Sequence, residues 1–159
     1  MPKVIVSTTP IISLLKIGKL EILKDLYGTI IIPNAVFREM EAGKRKLHYE
    51  DLKNFEWISI QKVTTSDIKH QLKKLDDGEA EVLILAKELN ADLVILDEAK
   101  GREYARKLNL NLTGTIGVLL KAKDKGIISS ISELLEIMNE KGTWLSGRLI
   151  DSIRKIANE

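Results

Sequence analysis

The sequence contains no cysteine, few aromatic residues and no long apolar run. The absence of cysteine excludes disulfides, thiolate catalysis, zinc–thiolate sites and iron–sulfur clusters, so a bound metal would need oxygen ligands. No apolar stretch approaches the roughly 20 residues that span a bilayer, and the amino-terminal segment carries neither a secretory signal nor a lipidation motif. We therefore expect a soluble, cytoplasmic protein that has no membrane partner.

A strong excess of charge of one sign is also missing. The chain has 25 Lys and Arg residues against 23 Asp and Glu residues, a formal net charge of +2. This balance is too even to indicate nucleic-acid binding by itself, because such binding usually leaves a strong local basic patch. A length of 159 residues without repeats or linkers predicts a single domain over residues 1–159.

Strand and helix patterns alternate along the chain. The run "ADLVILD" is continuously apolar, as expected for a central parallel strand that is covered on both faces. The alternation predicts an α/β fold with a mostly parallel central sheet between two layers of helices. A polar helix is predicted from a cap at Ser66 to Leu75, and amphipathic helices are predicted from near Ser130 and Ser146. We expect the helices from about residue 130 to pack on the domain or to form a homodimer seam.

Two polar residues follow strands of the predicted sheet, Ser7 after the first strand and Asp97 after "LVIL". Ligands gather at the carboxyl ends of parallel strands, so both residues are candidates for a site. Asp97 has a simpler interpretation as a helix cap.

Glu81 and Glu39 are further candidates. Glu81 precedes the apolar run "VLILA", which leaves its helix almost no polar face and predicts a half-buried carboxylate. Its alternative role is to stabilise the first turn of that helix. Glu39 borders the core-facing stripe of its own helix, and its alternative role is a surface ion pair with Arg38 or Arg45. Several carboxylates that face one another would favour magnesium or manganese as a neutralising ion.

An ordered set of segments supports a more specific hypothesis. The chain resembles an uncharacterised prokaryotic branch of the PIN-domain superfamily, relatives of the VapC-type toxins, over nearly its whole length. The segments that carry the resemblance are the first strand end, "VFREM", "GEAE", "VILDEAKGR" and "GTIGVLLKAK".

The resemblance implies a metal-dependent endoribonuclease that is the toxin of a toxin–antitoxin pair, with RNA as substrate, a small antitoxin as partner and a homodimeric assembly. It implies that Glu39, Glu81 and Asp97 are catalytic and bind Mg²⁺ or Mn²⁺, with Glu79 or Glu98 as outer members. Thr8, Thr9, Thr115 and Arg102 are the expected substrate-binding residues. The first acidic position of the pattern is occupied by Ser7, whose hydroxyl is a weaker metal ligand than a carboxylate.

Ser7 keeps two alternatives open. A catalytically inactive PIN fold that binds RNA or a partner protein is the second hypothesis. A third is a receiver-like or phosphatase-like protein with Asp97 as nucleophile, for which the sequence offers no partner motif.

Overall fold

A five-stranded, all-parallel sheet forms the centre of the molecule. A computed structural model describes residues 2–65 and 69–159. The strand order is β3-β2-β1-β4-β5, and each neighbouring pair is parallel. The strands are β1 (Val4–Val6), β2 (Ile30–Pro33), β3 (Ile58–Gln61), β4 (Leu93–Ile95) and β5 (Leu112–Thr113). The predicted parallel α/β sheet is confirmed.

Helices flank this sheet in a three-layer α/β/α arrangement. Helix α4 contacts β1, β2 and β4 and packs beside α3 and α5, whereas α2 packs against α6. Within the described ranges the α-helices are α1 (Thr8–Lys16), α2 (Ile22–Tyr27), α3 (Asn34–Ala42), α4 (Asp77–Leu89), α5 (Ala99–Lys107), α6 (Thr115–Asp124), α7 (Ser132–Glu140) and α8 (Gly147–Ile156). Short 3₁₀ turns span Leu52–Asn54 and Lys69–Leu72.

The core forms where the apolar strands meet α4. All residues of β1 and β2 are buried, and the α4 segment 82–86 is buried on every side because helices and strands surround it. This explains why the sequence of α4 shows little helical amphipathicity although it is a regular helix. The same burial orients the first turn of α4, which carries Glu79.

The prediction of an α-helix from Ser66 to Leu75 is wrong over the residues that the structure describes. Over residues 69–75, the described part of the helix predicted from Ser66 to Leu75, the structure has the 3₁₀ turn Lys69–Leu72 and no α-helix, and the predicted cap at Ser66 lies outside the described residues. Leu72 and Leu75 are the buried side chains among residues 69–75. Two buried leucines do not form the continuous apolar stripe that holds a longer helix on a domain.

The last two helices pack partly on the domain. Leu135 and Met138 of α7 and Ile153 of α8 are buried in the main core of the chain. Leu149 and Ile156 remain exposed on α8, as does Trp144 before it. A homodimer seam at these helices stays a prediction. In the part of the chain that the structure describes, no helix has the length and apolar character needed to cross a bilayer.

Candidate active site

The strand order places a switch point between β1 and β4. The chain moves from β1 outward to β2 and β3, and then crosses to β4 on the other side of β1. Connections leave in opposite directions here, which opens a crevice at the carboxyl ends of these two strands. Val6 pairs with Ile95, and the backbone amide of Ser7 donates to the Ile95 carbonyl at 3.0 Å. Ser7 and Asp97 therefore lie at the same edge of the sheet.

Asp97 is bound to the amino terminus of α6. Its Oδ1 accepts from the Thr115 amide at 2.7 Å, and its Oδ2 accepts from the Thr115 hydroxyl at 2.6 Å. Gly114 makes this approach possible, because a Cβ at that position would lie 2.6 Å from Oδ1 of Asp97. Asp97 does act as a cap, but for α6 and not for the helix that follows it in sequence.

Glu39 joins α3 to two other helices. Its Oε2 accepts from the Thr8 hydroxyl at 2.6 Å, and its Oε1 accepts from the Gly78 amide in the first turn of α4 at 2.9 Å. A Cβ on Gly78 would lie 2.8 Å from Cδ of Glu39, so the close approach depends on glycine. Glu39 is thus no surface partner of Arg38 or Arg45. It faces the crevice.

Glu79 lies in the first turn of α4 and is only 9% exposed. Burial, the largest cause, and the negative charges of Asp76, Glu98 and Glu39 together raise its pKa to about 7. These four carboxylates, Glu39, Asp76, Glu79 and Glu98, are called the acidic cluster below. Asp76 also caps α4 by accepting from the Glu79 amide at 2.8 Å.

Threonine hydroxyls hold three of the carboxylates at the site. Thr8 donates to Glu39, Thr115 donates to Asp97, and Thr9 donates to Glu98 at 3.3 Å. The three threonines that the sequence suggested as substrate ligands are therefore engaged with acids. In this structure they orient the carboxylates and leave no hydroxyl proton for a phosphate.

A family comparison adds independent information. The family model described as a PIN domain matches residues 3–159. The chain belongs to the PIN-domain family. No curated protein matches the sequence. PIN domains generally use divalent metal ions, and membership suggests nucleic-acid binding.

Glu81 does not join the acidic cluster in this PIN domain. The Oε1 atom of Glu81 accepts from the Ala35 amide at the start of α3 at 3.0 Å, and its Oε2 atom lies 3.6 Å from Nη2 of Arg38. Residues two apart on a helix point about 200° away from each other, so Glu79 and Glu81 cannot serve the same cavity. Of the three acids expected to converge, Glu39 and Asp97 lie at the crevice, while the Glu81 carboxylate is bound to the start of α3 and to Arg38.

The sequence prediction placed Glu81, and not Glu79, among the three main metal ligands, although the sequence contains a signal that favours Glu79. Asp76 stands three residues before Glu79, which is the spacing of a helix cap and marks where α4 begins. Counting from that start places Glu79 above Val82 and Leu83 on the stripe that faces the interior.

Arg102 was expected to bind substrate, and its Nη1 donates to the Leu96 carbonyl at 2.9 Å beside Asp97.

The donor set of this PIN domain suits a hard cation, since it consists of carboxylate and hydroxyl oxygens. As the side chains stand, no three acidic or histidine residues among residues 2–65 and 69–159 form a group able to hold a metal ion. Glu39 and Asp97 use both of their carboxylate oxygens in hydrogen bonds within the chain. Each of these oxygens accepts one hydrogen bond and keeps a second lone pair, so the present donors do not prevent metal binding.

Proposed function

We propose that this PIN domain is a metal-dependent endoribonuclease whose ion is held by Glu39, Glu79 and Asp97, with Glu98 as an outer ligand. The observation that carries the proposal is the acidic cluster at the switch point, where Glu79 is buried among three other carboxylates. Like charges in such a setting are costly unless a cation neutralises them. Glu81, which the sequence favoured, is replaced by Glu79 in this proposal because its carboxylate is bound to α3 and Arg38.

The bound ion supplies two things, a lowered pKa for a water molecule and neutralisation of charge on the scissile phosphate. The chain supplies position. Thr8 and Thr115 hold Glu39 and Asp97 through hydrogen bonds, and Glu79 brings a carboxylate from α4. Arg102 lies beside Asp97, where its guanidinium can offer a second hydrogen bond to phosphate.

A pair of variants on one helix tests the proposal. End-labelled single-stranded and hairpin RNAs are incubated with the protein in Mg²⁺, in Mn²⁺ and in chelator. We expect metal-dependent internal cleavage that Glu79→Gln abolishes and Glu81→Gln preserves. Loss of cleavage in Glu81→Gln with full activity in Glu79→Gln would overturn the assignment. Preparations made in parallel, with Lys74→Gln as a surface control, exclude a contaminating nuclease.

The toxin role is the finer part of the proposal and rests on the resemblance of the segments to VapC-type proteins. Induced expression of the wild type is expected to arrest growth, whereas Glu79→Gln is expected to be harmless at equal protein level. Co-expression of a small protein encoded next to this gene should restore growth. Equal toxicity of both forms would contradict the role.

Ser7 favours a second candidate, an inactive PIN domain that binds RNA without cutting it. Ser7 is buried at the switch point and contributes no carboxylate where β1 ends. RNA binding without cleavage in any metal would support this function. In that case Ser7→Asp should raise Mn²⁺ affinity, as measured by titration calorimetry, because it adds a charged oxygen ligand at the crevice.

A further inference from the structure

A cavity adjoins the acidic cluster and has no role in the metal chemistry. It lies between α1, the last turn of α3 and the loop 43–49, and it is open to solvent on one side. The floor is apolar and consists of Ile12, Leu15 and Met40. We call it the α1–α3 cavity.

Aromatic rings stand at the rim of the α1–α3 cavity. Tyr49 and His48 are both half-buried there. The Tyr49 hydroxyl donates to Glu41, and this hydrogen bond, with smaller contributions from desolvation and from the charges of Glu41 and Asp51, raises the pKa of Tyr49 to about 12. The polar end of Tyr49 is therefore held by α3, and the ring remains neutral in the physiological range. A flat apolar floor with aromatic rings at its edge is suited to a planar, uncharged ring system.

The α1–α3 cavity shares a wall with the acidic cluster. Glu39 lines the cavity and also accepts from Thr8 and Gly78 in the cluster. Lys16 and Lys46 lie at the cavity as well, so its mouth is positively charged where the cluster is negative. An RNA strand with one phosphate at the cluster would have a neighbouring base at the cavity and further phosphates near these lysines.

We propose that the α1–α3 cavity binds one unpaired nucleobase of the RNA strand, next to the phosphate that is cut. The inference rests on the proposed nuclease function and adds a specificity site to it. RNA bases outside a helix are commonly recognised by stacking on aromatic side chains. A cavity formed by α1, one turn of α3 and one loop suits a single ring better than a helical peptide, which needs an elongated groove to seat several anchors.

Nucleotide binding without metal provides the test. The catalytically impaired Glu79→Gln protein, labelled at the methyl groups of Ile, Leu and Met, is titrated in chelator with each of the four ribonucleoside 5′-monophosphates. We expect saturable NMR shifts at the methyl groups of Ile12, Leu15 and Met40, with unequal affinity among the four bases. Ribose 5-phosphate should leave these methyl groups unshifted, since it carries the phosphate but no base.

Matched variants locate the binding. Ile12→Trp fills the cavity, and Leu47→Trp is its control because Leu47 is 90% exposed on the same loop. Tyr49→Ala removes the ring, Tyr49→Phe keeps it, and Tyr104→Ala changes a tyrosine on α5. We expect a loss of nucleotide affinity of about tenfold for Ile12→Trp and Tyr49→Ala, in the range measured for base–aromatic stacking, and little change in the other variants.

The outcomes separate this inference from the proposed function. Glu79-dependent cleavage together with cavity methyl groups that no nucleotide shifts would overturn the inference and leave the nuclease intact. Shifts at the cavity in a wild-type protein that cuts no RNA would support the base site and overturn the nuclease. Equal affinity of Tyr49→Ala and Tyr49→Phe would also contradict the stacking role of the ring.

Discussion

The acidic cluster and the carboxylate of Glu159 lie in opposite electrostatic environments. Glu79 faces three other carboxylates, and its pKa is raised. Glu159 accepts hydrogen bonds from the Ile131 amide, from Lys123 and from Ser132, and these donors hold its pKa well below the ordinary range. Among the described residues, no lysine or arginine forms an ion pair with the acidic cluster, whereas Glu159 accepts from several donors. We infer that Glu159 serves stability, and we propose that the acidic cluster is arranged for a cation.

Glu81 belongs with Glu159 in this comparison, although it is only two residues from Glu79. Its carboxylate has a backbone amide and a guanidinium as partners. Closeness in sequence therefore does not decide whether two acids have the same role in this fold. Their roles depend on the partners that the neighbouring helix offers to each carboxylate.

The largest expected effect is on catalysis by Glu39→Gln. The variant removes a charged ligand from the acidic cluster but keeps an amide oxygen that can accept from Gly78. We expect RNA cleavage to fall by roughly 100-fold, comparable with the larger losses seen when metal sites are perturbed. The melting temperature in chelator should stay the same or rise, because repulsion with Glu79 is relieved. A large drop in melting temperature would show that Glu39 serves stability, as Glu159 does, and would contradict its proposed role as a metal ligand.

Gly78→Ala is expected to disturb the cluster without removing an acid. The new Cβ would collide with the carboxylate of Glu39, which must turn away and lose its hydrogen bond to the Gly78 amide. We expect a decrease in cleavage of about tenfold, because misplaced groups at an active site are costly. Gly147→Ala is the matched control, since its Cβ would meet no atom within 4 Å in the first turn of α8.

Glu81→Gln should affect stability rather than chemistry. The amide side chain can still accept from Ala35 but loses the charged pairing with Arg38. Arg38 is largely exposed, so we expect a loss of about 0.5–1 kcal/mol in the free energy of unfolding, measured by urea titration. RNA cleavage at saturating metal should remain within about twofold of the wild type, since Glu81 faces away from the cluster. A loss of Mn²⁺ affinity would place Glu81 at the metal after all.

Glu159→Gln is expected to have the smallest effect, and one that depends on pH. Because the folded-state pKa of Glu159 is lowered, its stabilisation is fully present above the unfolded pKa of about 4.3 and is lost as the pH falls below it. The difference in melting temperature between wild type and variant should therefore be larger at neutral pH than in acid. A difference that stays constant with pH would show that the charge is not responsible.

The sequence predicted much of the fold because the strands are short, apolar and separated by amphipathic helices. Residues at strand ends, Ser7 and Asp97, could be assigned to one edge of the sheet from topology alone. Topology alone could not decide whether Glu79 or Glu81 belongs to the site. Both precede the same apolar run, and the deciding contacts come from Glu39 and Ala35, which are about 40 residues away in sequence. Local periodicity does not report which helix packs on which side.

The helix predicted from Ser66 illustrates a different limit. Its cap residue and polar composition are compatible with a helix, yet only a 3₁₀ turn over Lys69–Leu72 is present in the described part of that segment. Short helices are marginal in water without packing. Whether a segment gains that packing depends on neighbours that are remote in the chain.

The position of β4 beside the central strand β1 has a consequence for biosynthesis. Strand β1 acquires its second neighbour only when residues 93–95 have left the ribosome, and Asp97 gains its hydrogen-bond donors only with Thr115. Nascent chains that end earlier cannot assemble the crevice. If the protein cuts RNA as proposed, a nascent chain becomes able to do so only after Thr115 has left the ribosome.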